Sequence, residues 1–134
     1  MWMSLNKYQT YQNNAVNTAS GVELTMMLYN GCIKFIKQAK KNMNEKEYEA
    51  KNVNIQKAQN IIQELMLTLD PEIELSNEML PLYEYMLYQL KEGNIKNDVT
   101  LLDEVLSFAT EFRDTWKEVI LKTRQSQYAQ GAKF

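Results

Sequence analysis

Histidine is absent from this chain of 134 residues, which removes the usual general base, the commonest metal ligand and the titration switch near neutral pH together. A zinc site and a histidine-based catalytic triad are excluded. The one cysteine, Cys32, cannot close an intramolecular disulfide, and it stands in an apolar run with no imidazole to activate it. It reads as a small hydrophobe in a reduced, cytoplasmic protein. Proline occurs twice and glycine four times, and no stretch alternates apolar with polar residues long enough to make a sheet. No segment approaches the roughly 20 apolar residues that span a bilayer, and the opening MWMSLNKYQTYQNN lacks a signal-peptide core, so membrane insertion is not expected. Nor is there an excess of positive charge. Fifteen Lys and Arg against 17 Asp and Glu give a net charge of -2, which provides no field to hold a nucleic acid backbone.

What remains is a helical composition. Hydrophobic residues make up 45% of the chain and charged residues 24%, as in ordinary soluble domains, and the length suits one domain. The first 17 residues form a polar arm, expected to be mobile or briefly helical, with Leu5, Tyr8, Tyr11 and Val16 as scattered anchors. Met1-Trp2-Met3 offers two candidate initiators. A helical domain over 18–124 follows, and 125–134 is a polar tail expected to fray.

Within the domain, Ser20 and Glu23 have the spacing of a capping box and predict a helix over about 21–43. After a polar turn over 42–47, Ile55, Ala58, Ile62, Leu65 and Leu69 mark one face of a second helix that Asp70-Pro71 stops. Ser76 is the expected cap of a third helix ending at Gly93-Asn94, although Pro81 interrupts its pattern. Asp98 caps a fourth helix with Leu102, Val105, Leu106, Ala109, Phe112, Trp116, Val119 and Ile120 on its core face, ending near Arg124. Four helices with short connections predict an all-α, antiparallel up-and-down four-helix bundle.

The first helix carries more apolar surface than one core stripe needs. At 100° per residue, Leu24, Leu28, Cys32, Phe35 and Ala39 form a stripe about 80° wide. Val22, Met26, Tyr29, Ile33 and Ile36 form a second beside it, so the arc approaches ~200°. Either this helix is buried on two sides or the second stripe lines an open groove for a partner's apolar segment. The third helix has the same surplus, with Leu82, Tyr83, Tyr85, Met86, Leu87, Tyr88 and Leu90 exceeding one face. Candidate partner-binding residues are therefore Val22, Met26, Tyr29, Ile33, Ile36, Tyr83, Met86 and Leu87. On the groove reading, Ile33 faces solvent and tolerates a charge, whereas Phe35 belongs to the core.

Catalytic patterns are weak. Glu45, Glu47 and Glu49, Glu72 and Glu74, and Asp103 and Glu104 lie on polar faces or connections, and the glycines form no phosphate loop. Lys37, Lys40 and Lys41 read as a solvated basic patch. No catalytic residue, cofactor or metal is expected.

The run Tyr11-(x4)-Val16-x-Thr18-Ala19-Ser20-Gly21-x-Glu23-Leu24-x-Met26-Met27-Leu28-Tyr29-Asn30-Gly31 resembles the opening of the FliS family of flagellar export chaperones, T-A-S-P-x-E-L-(x3)-L-Y-D-G. Leu82-Tyr83-Glu84-Tyr85-Met86 with Leu90, Asn94 and Asp98 is similar to that family's later pattern, and Trp116 stands where the family often has Trp. Gly21 replaces the usual Pro, and Asn30 and Glu84 replace Asp. The resemblance implies a cytoplasmic bundle that binds the disordered C-terminal segment of flagellin, blocks premature polymerisation and delivers it to the flagellar export gate. It implies no enzymatic activity. Carried over from the family, Leu5, Tyr8 and Tyr11 would cover the groove before the client arrives. The free protein is expected to be a monomer or weak dimer. The competing reading is a homodimeric structural or adaptor bundle without a flagellin client.

Overall fold

The computed structural model describes the backbone of residues 21–131 and the side chains of residue 21 and of 23–122. Its described residues form four α-helices: α1 (Gly21–Asn44), α2 (Tyr48–Leu67), α3 (Glu74–Lys96) and α4 (Val99–Gly131). Each helix packs against two others, α1 on α2 and α4, and α3 on α2 and α4, which is the square of an up-and-down four-helix bundle. The expected arm over 1–17 and the expected cap Ser20 lie outside the described residues.

Local signals account for two of the helix ends. The Asp98 carboxylate accepts hydrogen bonds from the Thr100 backbone N–H (3.0 Å) and hydroxyl (2.6 Å), capping α4 as its position predicts. Thr68 ends α2 just before Asp70-Pro71, with its N–H on the Leu65 carbonyl (3.1 Å) and the next N–H, that of Leu69, on the Met66 carbonyl (3.2 Å). The end of α3 differs from expectation. The left-handed residue is Asn97 (φ 51°), while Gly93 stays within the helix. A Cβ at Gly93 would lie 3.3 Å from both the Asp98 carbonyl oxygen and Leu101 Cβ, so this glycine serves the close approach of α4 rather than the turn.

Two boundaries also move. α3 starts at Glu74 after Ile73, not at Ser76, and runs through Pro81. Pro81 has no N–H to offer the Asn77 carbonyl, but both residues lie on the exposed face, so no buried acceptor is stranded. α4 continues to Gly131 instead of ending near Arg124. Residues 124–130 contain neither Pro nor Gly and include Arg, Ala and three Gln, which sustain a helix.

The core is continuous, with Cys32, Ile36, Ala39, Ile55, Ala58, Ile62, Leu65, Met86, Leu90, Leu102, Val105 and Ala109 fully enclosed. At the end near the α1–α2 turn, the buried Lys51 on α2 donates to the Asn94 carbonyl (2.9 Å) and to the Asn97 side chain. Its ammonium thus sits on the negative end of α3 and holds the left-handed Asn97 in place. Burial lowers the Lys51 pKa from its ordinary value.

Candidate functional site

The position of α1 between α2 and α4 explains its wide apolar arc. Its first stripe turns toward α2, where Gly31 approaches Ile61 and Phe35 meets Lys57. Its second turns toward α4, where the Tyr29 ring lies 6.5 Å from Phe112. A helix touching two neighbours at a corner of a square must present apolar residues to both, which widens the stripe beyond that of a helix with one partner. Most of the described residues of both stripes therefore belong to the core.

This corrects the open-groove expectation for five residues. Tyr29, Ile33, Ile36, Tyr83 and Met86 are buried in the core cluster, and Ile33 retains only 4% exposure. Leu87 is half-buried against the same cluster, and the Val22 side chain lies outside the described residues. Phe35, expected inside, is half-buried at the edge of the core.

At the centre, the Tyr29 and Tyr83 hydroxyls are 2.7 Å apart and share a hydrogen bond between α1 and α3, diagonally across the bundle. The Tyr83 ring meets Phe112 edge-on at 6.2 Å. Burial raises the pKa of both phenols, so both remain neutral and able to donate. Cys32 is enclosed nearby, and burial pushes its thiol up to about 12, which keeps it protonated and unreactive.

Apolar side chains are exposed at several places, among them Leu75, Leu80, Tyr88 and Ile95 on α3, and one open apolar stretch lies at the start of α1. A cleft of about 660 Å³ between the start of α1 and the later part of α4 is walled by Met26, Met27, Ile120 and Leu121. Glu23, Asn30, Arg113, Asp114 and Lys117 form its polar lining. Met27 is 62% exposed and Leu121 50%, whereas Met26 and Ile120 are half-buried. Arg113 is tied to its neighbour Asp114, with its Nε 3.1 Å from Oδ1. Of the seven expected partner-binding residues whose side chains are described, Met26 alone lines this cleft. Ile120 and Val119, expected on the core face of α4, instead line the cleft and lie exposed, respectively. Met27 had one available signal: its angular position falls outside both stripes, leaving an apolar side chain with no core to join.

Chemistry has little foothold here. Among the described residues no carboxylate is buried, and no group of His, Cys, Asp and Glu could hold a metal ion. No helix among them is long and apolar enough to cross a membrane. The arrangement offers apolar side chains rimmed by charged and polar ones.

Residues 4–123 match the family model described as Flagellar protein FliS. The chain belongs to the FliS family. It is 50% identical over 126 residues to the flagellar secretion chaperone FliS of Bacillus subtilis (strain 168), covering 94% of this chain and 95% of that protein. To the flagellar secretion chaperone FliS of Escherichia coli (strain K12) it is 35% identical over 111 residues, covering 81% and 82%. In fold it is similar to a solved bacterial flagellar chaperone, with a TM-score of 0.72 at 20% identity over 88% of this chain and 98% of that one. The sequence resemblance at Thr18–Gly31 and Leu82–Asp98 thus belongs to a relationship that runs through the bundle as a whole.

Proposed function

We propose that this FliS-family chain is a cytoplasmic chaperone that binds the disordered C-terminal segment of flagellin, keeps it from polymerising early and delivers it to the flagellar export apparatus. The observation that carries this reading is the cleft between α1 and α4, whose walls of Met and aliphatic side chains suit an amphipathic segment. Met26, Met27, Ile120 and Leu121 would make the apolar contacts. Tyr29, Ile33, Ile36, Tyr83 and Met86 would act from beneath, as the packed floor that sets the positions of α1, α3 and α4. The work is binding alone, with no bond made or broken.

The arm has a place in this reading. Residues 1–20 join the described chain at Gly21, two residues before Glu23 on the cleft lining. On this reading Leu5, Tyr8 and Tyr11 would act at high effective concentration near the cleft and would cover it until flagellin displaces them. Size exclusion of the purified protein mixed with flagellin tests the reading. Co-elution is expected with whole flagellin and is lost with flagellin lacking its C-terminal end. Equal co-elution of both forms would refute the reading.

A further inference from the structure

α3 stands at the corner of the square diagonally opposite α1. One of its flanks meets α2, where Asn94 donates to Asn52 (2.8 Å), and the other meets α4, where Tyr85 donates to Glu104 and packs on Phe108. Between the flanks lies an outward face. At 100° per residue, Leu80, Glu84, Leu87, Tyr88, Lys91 and Ile95 fall on it within about 100° of arc. Ile95 is 66% exposed and Tyr88 59%, Leu80, Glu84 and Lys91 are exposed as well, and Leu87 is half-buried. This is the surplus of apolar residues on the third helix that the core does not absorb, gathered on one face rather than scattered.

The order of these residues says what fits them. Leu80 and Leu87, Glu84 and Lys91, and Tyr88 and Ile95 are each one heptad apart, the interval at which two helices stay in contact along their length. The pattern is also symmetric. Counted from the point between Leu87 and Tyr88, Glu84 and Lys91 stand at equal distances on opposite sides, and Leu80 and Ile95 do the same further out. Reversing the helix therefore lays apolar on apolar and carboxylate on ammonium: Leu80 comes level with Ile95 of a second copy, Leu87 with its Tyr88, and Glu84 with its Lys91. A two-fold interface needs this self-complementarity, in which one residue meets another and the second meets the first in return. A parallel pairing would instead set Glu84 on Glu84 and Lys91 on Lys91. We propose that the outward face of α3 docks a second copy of this chain in antiparallel fashion, as a two-fold dimer closed by two Glu84–Lys91 pairs.

Among the described residues neither Glu84 nor Lys91 makes an ion pair within its own chain, so pairing across the dimer breaks no salt bridge already made. One charge of each sign gives the face no attraction for a polyanion or a charged lipid surface. A contact of one helix per copy offers far fewer than the roughly 20–30 residues a side of a stable interface, so the dimer is weak and reversible. It leaves the cleft between α1 and α4 open, because that cleft faces away from α3.

The test is sedimentation equilibrium of the full chain from about 10 μM to 1 mM, the range in which weak association shows. No flagellin is present, so the result bears on this contact alone. The variants are Glu84→Lys, Lys91→Glu, the exchange Glu84→Lys/Lys91→Glu, and Glu118→Lys, an exposed control on α4 that changes the net charge as Glu84→Lys does. All these sites are exposed, and each variant should melt like the parent. The parent should pass from one chain toward two and no further. Each single reversal sets like charges against each other at both pairs and should weaken association at least about tenfold, while the exchange restores it to within about threefold and the control changes it less than about twofold. A parent that stays monomeric at the highest concentration or grows beyond two chains would overturn the proposal. So would single reversals without effect, a control that loses as much as they do, or an exchange as weak as either reversal alone.

Discussion

Tyr29 and Tyr83 illustrate how a single polar contact is costly to break by halves and cheap to remove whole. Each phenol is buried, and each has the other as its hydrogen-bond partner. Tyr29→Phe or Tyr83→Phe leaves one hydroxyl unpaired in the core and is expected to cost about 1–3 kcal/mol. The double variant removes both groups and should cost less than the sum of the singles, a coupling that urea unfolding of all four proteins would measure. Ile33 teaches a different lesson. Because it packs between α1 and its neighbours with 4% exposure, Ile33→Asp is expected to destabilise by about 4 kcal/mol or more, leaving a largely unfolded protein by circular dichroism at room temperature. An Ile33→Asp protein with the parent's melting temperature would return this residue to an open groove. The apolar pattern of α1 placed Ile33 on a stripe, but a stripe has no outside until its neighbours are known. Angular position is local, and exposure is a property of the packed bundle.

At the scale of an element, α3 shows what chain chemistry reveals and what it hides. Asp98 was legible as a cap and Pro71 as a stop because their effects act on adjacent backbone. The roles of Gly93 and Asn97 were not, since Gly93 is required by the approach of Asp98 and Leu101, and Asn97 is held by Lys51 from another helix. Both depend on tertiary contacts that spacing does not contain. Pro81 is the third case, a residue that breaks helices in general and is tolerated here because its gap faces solvent. Pro81→Ala restores the N–H that the Asn77 carbonyl lacks, and the gain exceeds the unfolded-chain freedom it returns. It is expected to stabilise by about 1 kcal/mol, raising the melting temperature by a few degrees in a thermal scan. A lowered melting temperature would show that α3 depends on the proline's bend.

At the scale of the molecule, charge and apolar surface are distributed unevenly around one core. The open cleft lies between α1 and α4, and the outward face of α3 carries Leu80, Tyr88 and Ile95, while 58–90 is wholly without cations. The all-α class, the four-helix bundle and the family were legible because they rest on periodicity and motif order over the whole chain. The cleft was only partly so. Met26 stood on a recognised stripe, but Met27, Ile120 and Leu121 come together only because α1 and α4 pack side by side. The proposal that flagellin docks there is tested most directly by calorimetric titration of the flagellin C-terminal segment into Met27→Asp/Leu121→Asp, with thermal unfolding in parallel. Both side chains are exposed, so the variant should melt within a few degrees of the parent, while the two charges, which docking would have to bury, weaken binding by at least about tenfold. A variant that is as stable as the parent and binds the segment with unchanged affinity would contradict the account.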